Sequence, residues 1–275
     1  MGVPQNTISP EQLKLLVGTA DCPPIVDVRR EQAYAEAADV IPTARWRDHR
    51  AADRWAGELA PGRDVVVYCV HGHQVSQAAC ALLAAAGVKA RYLAGGIEAY
   101  REAGGVTVAR TKWTPAGRPS RWVTRERPKV DRIACPWLIR RFIDRDAAIH
   151  YVAPDQVKAA AVELDAVPFD IPDVEFSHVG ERCSFDAFVE KFRVRDPALD
   201  HLAVIVRGAD TARLDLAPEC AGLLAVSLGL SASCADDAGM LRDGIVVYDA
   251  LYGWCRHAQG ETHNWPTVKK DKAYA

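Results

Sequence analysis

Residues 64–76 read Asp-Val-Val-Val-Tyr-Cys-Val-His-Gly-His-Gln-Val-Ser, and this stretch decides the fold of the first part of the chain. The continuous apolar run up to Cys69 predicts a strand that is buried on both faces of a parallel sheet. A short loop follows, and the Ala- and Leu-rich residues 76–86 predict a helix with Gly87 as its C-cap. A buried strand that leads through a loop into a helix is typical of a layered α/β domain.

The flanking segments continue this alternation of strand and helix. Residues 24–28 and 90–93 are short runs with the composition of strands, and helical stretches begin near Arg30 and Ile97. Because parallel strands joined by helices are connected by right-handed crossovers, we predict a three-layer α/β/α domain around a central parallel sheet.

Cys69 is the predicted nucleophile of this domain. It closes the buried strand, and the carboxyl edge of a parallel sheet is where open α/β folds bind ligands. Loop amides and the helix N-terminus direct positive partial charge at the sulfur, and Gly72 lets the backbone curl around an anion. Such an environment favours a thiolate and would stabilise a persulfide anion formed on it. The alternative is that Cys69 is one more buried thiol at a strand end.

Three sequence blocks resemble the signatures of the rhodanese family and cover about residues 8–110. The first joins Asp27-Val-Arg-Arg to Val40-Ile-Pro-Thr-Ala, the second is the Cys69 loop, and the third joins Tyr92-Leu-Ala-Gly-Gly to Ala103-Gly-Gly-Val. The resemblance implies a sulfurtransferase that needs no cofactor, takes sulfur from a small donor and passes it to a thiol acceptor. It implies Cys69 as the catalytic residue and the following substrate-binding residues: Asp27, Arg29, Val70, His71, Gly72, His73 and Gln74.

One position departs from the family pattern. Rhodaneses that use thiosulfate carry a basic residue near the end of the loop, in a motif resembling CRxGxR, whereas this chain has Gln74 followed by Val75. Without a guanidinium fork, recognition of a sulfonate or phosphate dianion weakens. Thiosulfate therefore stays open as the donor, and a phosphatase is not expected. His71 and His73 are either hydrogen-bond donors to the substrate or exposed polar groups.

The composition changes after residue 110. Pro, Gly and basic residues without periodicity fill residues 111–128, which predicts a linker. We therefore divide the chain into a rhodanese-like domain at 1–110, a linker at 111–125 and a second, mostly helical α+β domain at 126–275. Its predicted elements include a helix with Pro136 in the first turn, strand-like runs at 148–152 and 174–178, and a helix at 185–192 with Ser184 as N-cap.

The densest polar cluster of the second domain spans nine residues. It contains four side chains of the types that bind divalent metal ions, and these candidate ligands are His178, Glu181, Cys183 and Asp186. Their spacing matches no strong zinc pattern. Two alternatives therefore stay open, a Cys183 that is simply packed and an Asp186 that stabilises a helix N-terminus.

A second polar group surrounds the first helix of this domain: Asp131, Arg132, Cys135, Arg140 and Arg141. Several arginines beside a cysteine are suited to receive an oxyanion such as chromate or sulfate. The alternative is a cationic helix face that is solvated or paired with Asp144 and Asp146. We favour this alternative for Arg140 and Arg141 and leave both interpretations open for Asp131 and Arg132.

Four segments of the second domain are similar to the C-terminal domain of the chromate-resistance protein ChrB. They are residues 122–144, the motif His178-x-Gly-x-x-Cys-Ser-Phe-Asp, residues 205–211 and residues 248–256. The similarity covers about residues 120–257 and implies a context of chromate or oxidative stress rather than a defined reaction. Family members that act as chromate-sensing regulators carry a different N-terminal half, thought to bind DNA, so we do not expect nucleic acid as a partner here.

Composition and charge limit the partners and the cellular compartment that we expect for the protein. With 34 basic and 36 acidic residues, the formal net charge of −2 gives no overall attraction to nucleic acid or an anionic membrane. The first ten residues lack the pattern of a signal peptide, and no run of about 18 apolar residues occurs. Eight scattered cysteines without a C-x-x-C pair suit a reducing compartment. We therefore predict a cytoplasmic protein without a membrane partner, and the sequence does not indicate its oligomeric state.

Two functional hypotheses follow. The first is an enzyme in which Cys69 holds sulfur as a persulfide, coupled to chromate or oxidative-stress resistance by a second domain that binds a metal ion or an oxyanion. The second is a non-catalytic sensor or binding protein for a metal or an oxyanion such as chromate. The retention of Cys69 favours the first, and Gln74 in place of a basic residue favours the second.

Overall fold

The computed structural model of the chain describes residues 6–59, 64–114 and 117–261, so the outer ends of the two predicted domains and part of the predicted linker lie outside the described residues. The first part contains strands β1 (Thr7–Ile8), β2 (Ile25–Asp27), β3 (Asp39–Val40), β4 (Arg45–Trp46), β5 (Val65–Tyr68), β6 (Ala90–Leu93) and β7 (Val108–Ala109). Its α-helices are α1 (Pro10–Leu16), α2 (Glu31–Ala35), α3 (Ala52–Trp55), α4 (Gln74–Ala85) and α5 (Gly96–Glu102). A parallel sheet has the order β1-β6-β5-β2-β4, and β3 pairs with β7 in antiparallel fashion. The predicted α/β domain with a central parallel sheet is confirmed.

The central strand of this sheet is β5, which lies between β2 and β6. Its side chains are fully buried and alternate between two hydrophobic clusters. Val65 and Val67 pack with α3 and α4, whereas Val66 and Tyr68 pack with α1 and α5. Since successive side chains of a strand face opposite sides, a strand that is covered on both faces is apolar throughout.

The second part is built from a small parallel sheet and a larger set of helices. Its strands are β8 (Arg121–Arg125), β9 (Ala148–Val152) and β10 (Val167–Pro168), in the order β10-β8-β9. Its helices are α6 (Asp131–Leu138), α7 (Val157–Glu163), α8 (Ser184–Lys191), α9 (Pro197–Asp210), α10 (Cys220–Ser233) and α11 (Asp237–His257), and a π-helical turn at Ile139–Ile143 extends α6. This arrangement confirms the mostly helical α+β prediction.

The prediction of a linker was wrong for residues 121–125. These residues form β8, the middle strand of the second sheet, and Trp122 and Val123 are fully buried. The Pro- and Gly-rich composition that suggested a linker ends just before them. Trp122 packs into the large helical cluster and Val123 packs with α7, so β8 is covered on both faces, like the central strand of the first sheet.

The prediction that Pro136 lies in the first turn of its helix was also wrong. α6 begins at Asp131, so Pro136 lies in its interior. Proline has no amide hydrogen for the carbonyl four residues earlier, which here belongs to Arg132. That carbonyl instead accepts a hydrogen bond of 2.8 Å from the Tyr151 hydroxyl on β9. A long-range contact therefore compensates for the missing helical hydrogen bond.

The segment 174–178, predicted as strand-like, is a loop with a single bridge between Phe176 and Phe169. Its alternation reflects the burial of Phe176 and not a strand. Ser184 is the first residue of α8 and not its N-cap, which is Cys183. The Cys183 amide donates to Asp186 Oδ2 at 3.0 Å. The predicted run at 148–152 is confirmed as β9.

Polar and apolar contacts join the two parts of the chain. Arg45 Nη2 lies 2.7 Å from an oxygen of the fully buried Asp144, and the Thr43 amide donates to the carbonyl of Phe142 at 3.1 Å. Val40 and Val108 belong to the large hydrophobic cluster of the second part. Among the residues that the structure describes, we find no helix with the length and hydropathy needed to cross a membrane.

The close approach of α11 to α6 predicts unequal effects of two identical substitutions in α11. A Cβ atom at Gly244 would lie 2.6 Å from Cγ2 of Ile133, whereas a Cβ atom at Gly253 meets nothing within 4 Å. We expect Gly244→Ala to lower the free energy of unfolding by about 1–3 kcal/mol through overpacking. Gly253→Ala should raise it by about 0.5–1 kcal/mol because alanine favours the helix. Urea denaturation of both variants checks this, and equal effects would contradict the packing described.

Candidate functional site

Cys69 follows β5 directly, at the carboxyl edge of the first sheet. Its side chain is buried but reaches the floor of an open pocket of about 600 Å³. The sulfur lies 3.2 Å from the hydroxyl of Ser76, which is fully buried in the first turn of α4. The thiol therefore faces a pocket on one side and a hydrogen-bonding hydroxyl on the other.

The Cys69 loop is fixed against the N-terminus of α5. The amides of Ile97 and Glu98 donate to the carbonyls of Cys69 and Val70, at 3.0 and 3.3 Å. Gly72 has φ +69°, and a Cβ atom there would lie 2.5 Å from the carbonyl oxygen of Leu93. The loop conformation therefore depends on tight packing against the turn that precedes α5.

Most of the predicted substrate-binding residues line the pocket, but Asp27 and Gly72 do not. The lining residues are Arg29, Arg30, Ala33, Cys69, Val70, His71, His73, Gln74, Val75 and Gln77. Gly72 is buried and does not line the pocket. Its carbonyl accepts a hydrogen bond from Gln77 Nε2 at 3.2 Å. His71 is largely exposed at the rim, with Nδ1 2.8 Å from Glu98 Oε2.

Asp27 and Arg29 form a buried ion pair beside the pocket. Arg29 Nε lies 3.0 and 2.9 Å from the two carboxylate oxygens of Asp27, and the Tyr68 hydroxyl donates to the same carboxylate at 2.8 Å. The charge of Arg29 is thus already balanced by Asp27. Arg30 is exposed in the same pocket wall and has no carboxylate partner among the described residues. Sequence reasoning missed Arg30, although it directly follows Arg29 in the first block.

The structure does not bring the four predicted metal ligands of the second part together. Glu181 is 92% exposed and lies 4.0 Å from Arg213. Asp186 is buried and accepts two hydrogen bonds from Arg207, at 2.8 and 2.6 Å. Cys183 is fully buried, and burial raises the pKa of its thiol. Of these four predicted ligands, His178 is the one that lies beside other possible metal ligands.

His178 lies among three aspartates that are distant in the sequence. Its Nε2 atom is 3.5 Å from Asp131 Oδ2, 3.4 Å from Asp170 Oδ1 and 3.2 Å from Asp210 Oδ2. Asp131 begins α6, Asp170 follows β10 and Asp210 ends α9. Asp131, Asp170 and His178 each offer a ligand atom, and the three atoms lie within 4.8 Å of one another. The sequence singled out Asp131 and His178, but in separate groups.

Comparison with known proteins assigns both parts of the chain. Residues 122–255 match the family model described as ChrB, C-terminal domain, and residues 9–103 match that of the rhodanese-like domain. The chain joins a rhodanese-like domain to a ChrB C-terminal domain. Protein ChrB of Cupriavidus metallidurans is 34% identical over 132 residues, which are 48% of this chain and 39% of that protein. The chain thus spans well under half of the length of this curated relative.

The solved structures that are similar to the rhodanese-like domain cover about a third of the chain. A rhodanese-related protein from Thermoplasma volcanium is 21% identical, covering 38% of this chain and 99% of its own, with a TM-score of 0.34. A rhodanese homologue from Thermus thermophilus is 27% identical, covering 34% of this chain and 99% of its own, with a TM-score of 0.28.

In the ChrB C-terminal domain the proposed oxyanion-binding residues have other partners. Arg141 is held by Asp249 at 2.8 and 2.7 Å, and Arg140 donates to the Ala147 carbonyl at 3.4 Å. Arg132 donates to the Glu126 carbonyl at 2.7 Å, and Cys135 is fully buried. The structure therefore does not assemble these side chains into one anion-binding group.

The acidic surroundings of His178 shift the pKa values of the whole cluster. Hydrogen bonds to Asp131 and Asp170 raise the pKa of His178 to about 10, against the opposing effect of burial. Burial, together with Asp131 and Asp170, raises the pKa of Asp210 to about 7. Burial also acts to raise the pKa of Asp170, but hydrogen bonds from His178, Arg125 and Ser184 hold it below its usual range. At neutral pH the metal-free cluster therefore contains a protonated imidazole.

This shift predicts a pH-dependent contribution of His178 to stability. Because the folded pKa is raised above the unfolded value of 6.5, the contribution is fully present below about pH 6.5 and is lost as the pH rises to about 10. We expect the difference in Tm between the wild type and His178→Gln, measured with a chelator present, to shrink between pH 6.5 and pH 10. A difference that stays constant over this range would contradict the assignment.

Proposed function

We propose that the rhodanese-like domain carries sulfur as a persulfide on Cys69, in a protein of chromate or oxidative-stress resistance. The observation that carries this proposal is the position of the Cys69 thiol in an open pocket, at the start of the loop of residues 70–73 that leads into α4. Amides at a helix N-terminus and in the preceding loop stabilise an anion at this point. The Ser76 hydroxyl lies 3.2 Å from the sulfur and within the same distance of the His73 carbonyl, so it ties the thiol to the loop.

This sulfur transfer needs no cofactor, because atoms and electrons balance between the donor, Cys69 and the acceptor. The Cys69 thiolate attacks the outer, sulfane sulfur of a donor such as thiosulfate, and a new S–S bond forms on the enzyme. The bond between the two donor sulfurs breaks, and sulfite leaves with that electron pair. An acceptor thiolate then attacks the terminal persulfide sulfur, which releases the Cys69 thiolate and gives the acceptor persulfide.

The position of Cys69 supports it as the reacting residue, because it is the cysteine that lines the pocket. Burial raises the pKa of the following thiols: Cys22, Cys80, Cys135, Cys183, Cys220, Cys234 and Cys255. A protonated thiol is a poor nucleophile, because the thiolate is the reacting form. All eight cysteines are free, which suits a reducing cytoplasm.

The charges of the residues that line the pocket determine which sulfur donor it accepts. Gln74 and Val75 supply no cation at the end of the loop, and Arg29 is neutralised by Asp27. Arg30 is the exposed cation of the same wall. We therefore propose that Arg30 attracts anionic donors in place of the missing basic residue.

Intact-mass spectrometry tests the proposal. Purified protein is incubated with thiosulfate and, separately, with a polysulfide. We expect the gain of one sulfur atom in the wild type and its loss in Cys69→Ser, because Cys69 is the cysteine that lines the pocket. Cys22→Ser is the matched control, since Cys22 is the more exposed cysteine of this domain and lies outside the pocket, and it should keep the adduct. No adduct with either donor would leave this domain a binding module.

A second prediction concerns donor charge. Arg30→Ala should slow persulfide formation from the thiosulfate dianion by about tenfold, the effect of losing one charge-assisted contact. With a neutral organic trisulfide the rate should not change. Arg50→Ala is the control, because Arg50 is exposed in the same domain but lies outside the pocket. Equal slowing with both donors would show that Arg30 acts on the fold and not on the donor.

A further inference from the structure

We propose that Asp131, Asp170 and His178 bind a divalent metal ion of the first transition row in the ChrB C-terminal domain. Two carboxylates and one imidazole would supply the ligands, and Asp210 would add negative charge beside them. This site differs from the set that the sequence suggested, because it shares only His178 with it. It is also separate from the Cys69 pocket.

The spacing of the three side chains fits a metal ion. The Nε2 atom of His178 lies 3.5 and 3.4 Å from the facing oxygens of Asp131 and Asp170. Ligand atoms bound at about 2.1 Å around a tetrahedral cation lie about 3.4 Å apart. The two distances from His178 therefore match those between metal ligands, and all three ligand atoms lie within 4.8 Å of one another.

One buried carboxylate oxygen of this cluster has no hydrogen-bond partner within the part of the chain that the structure describes. Asp131 is 1% exposed, and its Oδ2 atom accepts the Ser184 amide at 2.6 Å. No donor reaches its Oδ1 atom among the described residues. Buried carboxylate oxygens are almost always paired. Since the other oxygen of this carboxylate, Oδ2, is the one that lies 3.5 Å from His178 Nε2, a cation bound there would compensate the under-satisfied carboxylate.

A protonated His178 does not explain the arrangement. Its Nε2 atom carries a single hydrogen, whereas three carboxylate oxygens lie within 3.5 Å of it. One N–H group satisfies one acceptor well, while a metal ion interacts with all of them at once. Arg125 and Arg132 both pair with Asp170, at 2.8 and 3.4 Å, but among the described residues neither forms an ion pair with Asp131 or Asp210.

The surrounding residues hold the carboxylates in place and leave a route to solvent. Ser184 contacts both ligands, since its amide donates to Asp131 and its hydroxyl donates to Asp170 at 2.8 Å. Such outer contacts orient the ligands of metal sites. His178 is 41% exposed and Asp210 is 18% exposed, so an ion can enter from that side.

The ligand types define the class of ion. One imidazole with carboxylates suits Mn²⁺, Fe²⁺ or Zn²⁺ rather than a soft ion such as Cu⁺, which prefers thiolates. The thiols of Cys135 and Cys183 lie in the same region, but burial followed by the charge of Asp131 raises the pKa of both. They are therefore not assigned as ligands.

Metal analysis of the full-length protein tests this site. The protein is stripped with a chelator, dialysed against Mn²⁺ or Zn²⁺ and assayed by elemental mass spectrometry. We expect about one equivalent in the wild type and at least a tenfold loss of affinity in His178→Gln and Asp131→Asn. Glu181→Gln is the matched control, because it removes an exposed carboxylate three residues from His178 and should retain the ion.

Thermal unfolding with and without the ion separates loss of a ligand from loss of the fold. The ion should raise the Tm of the wild type and of Glu181→Gln, and leave the Tm of a folded His178→Gln unchanged. If Asp131→Asn does not fold, the half-exposed His178 position still decides the test. A wild type without bound metal, a His178→Gln variant that binds equally well, or a Glu181→Gln variant that loses the ion would each overturn the proposal.

Discussion

The burial of β5 on both faces is the constraint on which the first half of the molecule depends. With strands on either side and helices above and below, the segment admits only apolar side chains, and the first polar chemistry comes where it ends. Cys69 occupies that end, and the loop beyond it is held by the amides that begin α5. The position of the thiol thus follows from the sheet, and the shape of its pocket follows from the loop.

Much of this could be predicted from the sequence because the relevant signals are local. The apolar run before Cys69, the loop and the following helix are contiguous, and the structure confirms them within two residues at each helix boundary. The error at Pro136 has a different origin, because the Tyr151 hydroxyl that makes proline tolerable in α6 is fifteen residues away. Propensity rules do not include such a contact.

The cluster around His178 could not be predicted for the same reason. Its members lie in four separate segments, from the start of α6 to the end of α9, and they meet only because those elements pack together. Spacing along the chain favoured Glu181 and Asp186, which are near His178 in sequence but turn to other partners. At the linker, Pro- and Gly-rich residues lie directly beside the short strand β8, so the composition of residues 111–128 as a whole gives no sign that Trp122 is buried.

The contacts between the two halves limit how far either can be regarded as an interchangeable module. Val40 and Val108 are residues of the rhodanese-like domain by sequence but contribute to the core of its neighbour, and Asp144 receives its arginine from across the boundary. A first half produced alone would present bare apolar surface to water, and a second half alone would contain a buried carboxylate without its counter-ion. Exchanging one domain for a homologue would therefore require compensating substitutions in the interface. The two halves are expected to evolve together for this reason.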